Sequence, residues 1–136
     1  MPETTSPEIF WLAATALATA VMWVPYILWM ISDRGLGPAL MDGEHDIAYT
    51  VPWAARAVRA HRNAVENLVV FGVLALAVQA TGTGTALTAQ AAALFFFVRV
   101  AHYGVYVAGM PVVRTLLFAV GVGCQIVLGL AVLGWI

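Results

Sequence analysis

The chain contains no lysine, and all six of its basic residues are arginine. Charge of either sign is scarce: 10% of 136 residues are charged and 62% are hydrophobic. A soluble domain carries about 25% charged residues. That deficit excludes an ordinary water-soluble domain and implies a polytopic membrane protein. A formal net charge of −1 leaves no basic surface for nucleic acid. The single cysteine, Cys124, excludes an intrachain disulfide and reads as a small buried apolar residue. No basic segment precedes the first apolar run. That run follows Glu3 and Glu8 and is long enough to span, so it reads as a membrane helix rather than a cleaved leader. The histidines His45, His61 and His102 are scattered without a matching ligand pair, so no metal is expected. The turn from Thr81 to Thr85 alternates Thr and Gly, but it lacks the strand, lysine and spacing of a phosphate loop. Arginine in place of lysine, with abundant Ala, Val and Gly, points to a high-GC bacterial genome.

What is present organises into one all-α domain over residues 1–136, with four spans in up-down order. The first runs from about Ile9 to Ile31, and Pro25 within it is expected to kink it. A polar loop is expected from Ser32 to Thr50, with turn signals at Arg34-Gly35, Leu36-Gly37-Pro38 and Asp42-Gly43. Pro52 suits the first turn of the second span, about Val51 to Ala80. Thirty residues at 1.5 Å each give roughly 45 Å, more than the hydrocarbon core of about 30 Å. The N-terminal turns of this helix are therefore expected beyond the membrane. The third span covers about Ala86 to Val107, a break falls at Gly109-Met110-Pro111, and the fourth covers about Val112 to Ile136. Gly121, Gly123, Gly129 and Gly134 are placed to allow close helix packing in that last span. Arg34, Arg56, Arg59, Arg62 and Arg114 fall on one side of the membrane, and Arg99 points towards it. The positive-inside rule makes that side cytoplasmic and puts both termini outside, in the periplasm of a bacterial inner membrane.

A charge in hydrocarbon costs about 2.5–3.5 kcal/mol for Arg or Asp at mid-bilayer, even on lenient scales. The stretch Arg56 to Phe71 nevertheless holds three arginines, a histidine, two asparagines and a glutamate. Offsets of three, four and seven place Arg56, Arg59, Asn63 and Glu66 on one helical face, and Arg62 and Glu66 are an i, i+4 pair. In the third span Arg99, His102, Tyr103 and Tyr106 form a second polar face, expected opposite the run Phe95-Phe96-Phe97. Arg114 follows at a similar depth. Two polar faces at one depth define either a ligand site or a structural network between helices. Guanidinium groups bind carboxylates in bidentate fashion. Glu66 can hold an ammonium, and Asn63 and Asn67 can pair with amides. Two carboxylates, one amine and two peptide bonds make up the inventory of glutathione.

The motif Arg56-x-x-Arg59-Ala60-His61-x-Asn63-x-x-Glu66-Asn67-x-x-x-Phe71 resembles the signature of the MAPEG superfamily, membrane-associated proteins in eicosanoid and glutathione metabolism. The resemblance extends over nearly the whole chain, and it is to bacterial members similar to microsomal glutathione transferases. It implies a four-helix bundle assembled as a homotrimer, with glutathione bound between neighbouring subunits near the cytoplasmic face. It implies that Arg59, Asn63 and Glu66 contact the tripeptide. Asn67 lies where several relatives carry a tyrosine. Arg99, His102 and Tyr106 fall on the family's pattern in the third helix, with His102 in the place of a tyrosine for which Tyr103 can substitute. Arg114 matches the arginine that opens the fourth helix and stabilises the thiolate in catalytic members. Arg34 resembles the first of an Arg-Arg pair in leukotriene-synthase-like members, and Gly35 stands in place of the second.

The expected activity is a glutathione transferase or peroxidase acting on lipophilic electrophiles from the bilayer. Arg114 would raise the thiolate fraction, and Tyr103 or Tyr106 would donate a hydrogen bond to the sulfur. Arg56, Arg34, Asn67, Arg99 and His102 complete the expected thiol-binding set. Two other readings remain at this level. One is a non-catalytic trimer that binds a thiol, a lipid or a partner protein, suggested by Gly35 and His102. The other is use of a different low-molecular-weight thiol.

Overall fold

The computed structural model describes residues 5–41 and 51–136; His45 and the Asp42-Gly43 turn signal lie outside the described residues. The described residues form six helices in order: α1 (Pro7–Val21), α2 (Val24–Arg34), α3 (Leu36–Met41), α4 (Pro52–Thr81), α5 (Ala86–Ala108) and α6 (Pro111–Val132). No strand occurs among the described residues. Taken together, α1 and α2 form one segment long and apolar enough to cross a membrane, and α4, α5 and α6 form three more. The protein is an all-α four-helix membrane bundle with up-down topology.

Local chemistry sets the helix ends. The Ile9 N–H donates to Ser6 Oγ at 3.4 Å, and Pro7 follows in the first helical turn. Pro25 lacks an N–H, and its ring crowds the carbonyl four residues earlier, at Val21. Helix α1 ends at Val21 and α2 begins at Val24, so the first span is broken as its proline implies. The Met22 carbonyl in this break accepts the Tyr103 hydroxyl at 2.8 Å.

Of the loop expected from Ser32 to Thr50, the described residues 32–41 are largely helical. Helix α2 continues to Arg34, and residues 36–41 form the short helix α3. The Ala39 N–H donates to Gly35 O at 3.4 Å. Pro38 sits in the first turn of α3, where a missing N–H costs no hydrogen bond. At the other end of the bundle, Thr85 and Thr88 form a reciprocal capping box that opens α5. Helix α6 stops at Val132 rather than at the last residue, and the N–H groups of Gly134 and Trp135 bind the final carbonyls.

The bundle is inside-out by aqueous standards. Large apolar side chains such as Val69, Val73 and Leu76 on α4, and Leu116 and Ile126 on α6, face outward. Lipid supplies no hydrophobic drive between helices, so small residues and close packing must hold them together. Helix α4 accordingly buries Ala54, Ala57, Ala60 and Ala64 at helical spacing. The core lies deeper, where Phe71 stacks on Phe95 with ring centroids 4.0 Å apart and planes 16° apart. Val78, Ala75, Leu128 and Cys124 surround the pair.

Two expectations about helix faces need correction. Phe95 does not oppose the polar face of α5. It is buried on the same side as Arg99 and His102, because offsets of four and seven bring these residues together. Phe96 and Phe97 turn away, each packing on Trp11 at 5.3 and 5.4 Å. The four glycines of the last span also divide. Gly121 lies against Phe95 and Arg99, and Gly129 against Leu74. Gly123 touches no neighbouring element, and Gly134 serves the helix end.

Candidate functional site

Asn63 on α4 faces α5, where the Arg99 Nη2 group donates to its Oδ1 at 2.7 Å. Arg99 is 3% exposed, and its Nε and Nη1 have no hydrogen-bond partner among the described residues. His102 is 2% exposed, and its Nδ1 is also unpartnered. A buried guanidinium with one neutral partner is costly, because its desolvation is not repaid by an opposite charge. Such donors are suited to an incoming anion.

One turn along α5 stands Tyr106, with the His102 ring edge-on to it at 5.7 Å. The Arg114 guanidinium lies over the Tyr106 ring, 4.5 Å from its centroid. Pro111 opens α6 and brings Arg114 into its first turn. Asn63, His102, Tyr106, Arg114, Thr115 and Phe118 together line a half-open cavity of about 270 Å³. Helices α4, α5 and α6 each contribute to it. It combines a cation, an imidazole, a phenol, an amide and a hydroxyl within an otherwise apolar bundle.

The remaining site candidates lie elsewhere. Arg59 and Glu66 are exposed on the outer side of α4, as is Arg62, and none of the three forms an ion pair or side-chain hydrogen bond among the described residues. Arg56 reaches α5, where its Nε donates to Val107 O at 2.7 Å. It thereby serves the negative C-terminal end of that helix. Gly109, at φ +79°, lies so close that an added Cβ would stand 3.2 Å from the Arg56 Cζ. Asn67 folds back on its own helix, donating to Asn63 O at 2.9 Å. Tyr103 is committed to Met22 across the bundle. Arg34 lies at the end of α2, with its Nε 3.7 Å from the Asp33 carboxylate.

Thr115, Phe118 and Gln125 were not singled out by sequence reasoning. Thr115 and Phe118 line the cavity beside Arg114. Gln125 is buried on α6, and its Nε2 donates to Asn67 O at 3.2 Å. An amide alone in an apolar helix is itself a signal, since lipid penalises it. His61 links α4 to α2, with its Nδ1 2.8 Å from the Tyr26 hydroxyl.

Fold and site together define a multi-pass α-helical membrane protein with a polar cavity among its last three spans. The MAPEG family model matches residues 9–134, so the chain belongs to the MAPEG family. No curated protein and no solved structure gives a significant match to the chain.

Proposed function

We propose that this protein is a thiol transferase or peroxidase embedded in a bacterial cell membrane, using glutathione or a related thiol against lipophilic electrophiles. The observation that carries the reading is the cavity of Asn63, His102, Tyr106 and Arg114 beside the buried, incompletely paired Arg99. A thiol carrying carboxylates fits this donor set, because guanidinium groups bind carboxylates strongly.

Arg114 is the group that holds the sulfur as thiolate, since a neighbouring cation favours that form. Tyr106 supplies a phenol at the same wall. The thiolate attacks the electrophilic carbon and expels the leaving group, or it attacks a peroxide oxygen, breaking the O–O bond to release an alcohol and leave a sulfenic acid, which a second thiol converts to the disulfide with loss of water. Alignment of two bound reactants then accounts for much of the rate. The electrophile reaches the cavity from lipid along the apolar outer surface of α6.

The assembly proposed is a homotrimer. Arg59 and Glu66 lie on the outer face of α4, Glu66 about 21 Å along it at 1.5 Å per residue. Exposure of these charges to hydrocarbon is costly. A neighbouring subunit covers them, and the tripeptide then runs from the cavity of one chain over Arg59 and Glu66 of the next. The arginine-rich end faces the cytoplasm on this reading.

The test joins binding to turnover. The purified protein is heated with glutathione and other low-molecular-weight thiols, and conjugation is followed with a chlorodinitrobenzene or a lipid hydroperoxide. A thiol that binds only the native state raises the melting temperature. Stabilisation together with turnover above background supports the transferase reading. Stabilisation without turnover across a broad electrophile panel supports the non-catalytic alternative as a thiol binder, and no stabilisation by any thiol sinks the transferase reading and leaves only a trimer that binds a lipid or a partner protein.

A further inference from the structure

We infer that the end of the bundle opposite the arginines carries a second site, a cleft built on Glu8 that takes a primary ammonium group. Glu8 is in the first turn of α1 and is only 3% exposed. The Thr88 hydroxyl donates to its Oε1 at 2.6 Å. No arginine stands near it. Arg34, Arg56, Arg59, Arg62 and Arg114 belong to the other end, and Arg99 bonds Asn63. Among the described residues Glu8 has no cationic partner, and one hydroxyl does not offset the desolvation penalty of a buried carboxylate.

A capping role does not account for the residue. The start of α1 is already capped by Ser6, and that of α5 by the Thr85–Thr88 box. Beside the carboxylate lies an open cleft of about 480 Å³, formed where α1 begins, α4 ends and α5 begins. That size is within the range of small-molecule sites. Ser6, Thr85 and Gln79 supply polar lining, while Val78 and Ala89 supply apolar wall. The negative C-terminal end of α4 meets the positive starts of α1 and α5 here, so the Glu8 carboxylate is what gives the cleft its preference for a cation.

The donor count selects the ligand class. A metal ion needs several hard ligands, and no group of three His, Cys, Asp or Glu residues converges anywhere among the described residues. A primary ammonium offers three N–H donors, matched by one carboxylate with neighbouring hydroxyl and amide oxygens, and its carbon stem suits the apolar wall. The cleft opens at the ends of the spans, at the level of lipid headgroups. The amine is therefore that of an ethanolamine headgroup or of a free alkylamine.

Thermal unfolding of the purified full-length protein in detergent tests this. The added probes are phosphatidylethanolamine, phosphatidylcholine, phosphatidylglycerol and free ethanolamine. The expected result is a rise in melting temperature with phosphatidylethanolamine that the other two lipids do not match. A matching rise with ethanolamine identifies a free-amine site, and a rise with the lipid alone identifies a headgroup site. Glu8→Gln keeps an acceptor for Thr88 but removes the charge, and is expected to weaken the response at least roughly tenfold. Gly84→Leu leaves the carboxylate intact while filling the cleft, since a Cβ there already stands 3.4 Å from Glu8 Oε1. It is also expected to abolish the response. Absence of any amine-specific shift in the unaltered protein overturns the inference, as does an undiminished shift in Gly84→Leu or Glu8→Gln.

Discussion

Five of the six arginines gather at one end of the bundle, where α2 and α5 finish and α4 and α6 begin; the other end has none and, among the described residues, buries Glu8 as its one glutamate. The arginine end divides its charges among different tasks. Arg56 secures the end of α5, Arg114 lies over Tyr106 in the cavity, and Arg59 and Arg62 look outward. The glutamate end has a simpler arrangement, one carboxylate held by Thr88 beside an open cleft. Proximity in sequence therefore says little about shared purpose. Arg56, Arg59 and Asn63 lie within two helical turns, yet they meet a backbone carbonyl, the outer surface and a buried guanidinium respectively.

The largest effect is expected at Arg114. If the arginine end is the chemical end, Arg114→Ala lowers thiol-conjugation kcat by about a hundredfold, the scale of losing one charge-stabilising donor, while the melting temperature holds. A variant with unchanged kcat would remove chemistry from this end altogether. Next is Asn63→Ala, which strips Arg99 of its one side-chain partner among the described residues. It should cost about 1–3 kcal/mol of stability, read by denaturation in mild detergent, and should also weaken thiol binding.

Gly109→Ala sharpens the division between structural and ligand-facing arginines. The positive φ alone costs about 1–2 kcal/mol, and the new Cβ presses on Arg56. Arg56→Met should cost about 1 kcal/mol through the lost carbonyl bond, and the double variant should cost less than the sum, because the crowding is shared. Strict additivity would show that Arg56 and Gly109 act independently. The smallest effect is expected between the two ends, at Gln125→Leu. Interhelical polar contacts in membranes average about 0.6 kcal/mol, so a loss of that order in the same denaturation experiment is the expectation.

Much of the fold was legible because its causes are local. Membrane helices satisfy their own backbone, so apolar runs of sufficient length mark the spans. Pro25 and Pro111 mark a break and a start, because a missing N–H and a fixed φ act at the residue itself. The helical character of residues 36–41 was less visible, since Gly37 and Pro38 also read as turn residues. For the candidate site, helical periodicity correctly grouped Arg99, His102 and Tyr106 on α5. It misplaced Phe95, whose offset of four from Arg99 puts it on that same face.

Four membrane spans, MAPEG membership and the concentration of polar groups in the second and third spans all follow from the amino-acid order alone. Composition, proline position and motif spacing suffice for that, because each acts along a single helix. Which polar groups meet is set by how the helices pack. Asn63 turned to Arg99, Tyr103 to Met22, Gln125 to Asn67, and Glu8 into a cleft at the opposite end. The physical reason is rotational. A sequence specifies the angle between residues around one helix axis, while packing against neighbouring helices specifies where that axis turns each residue.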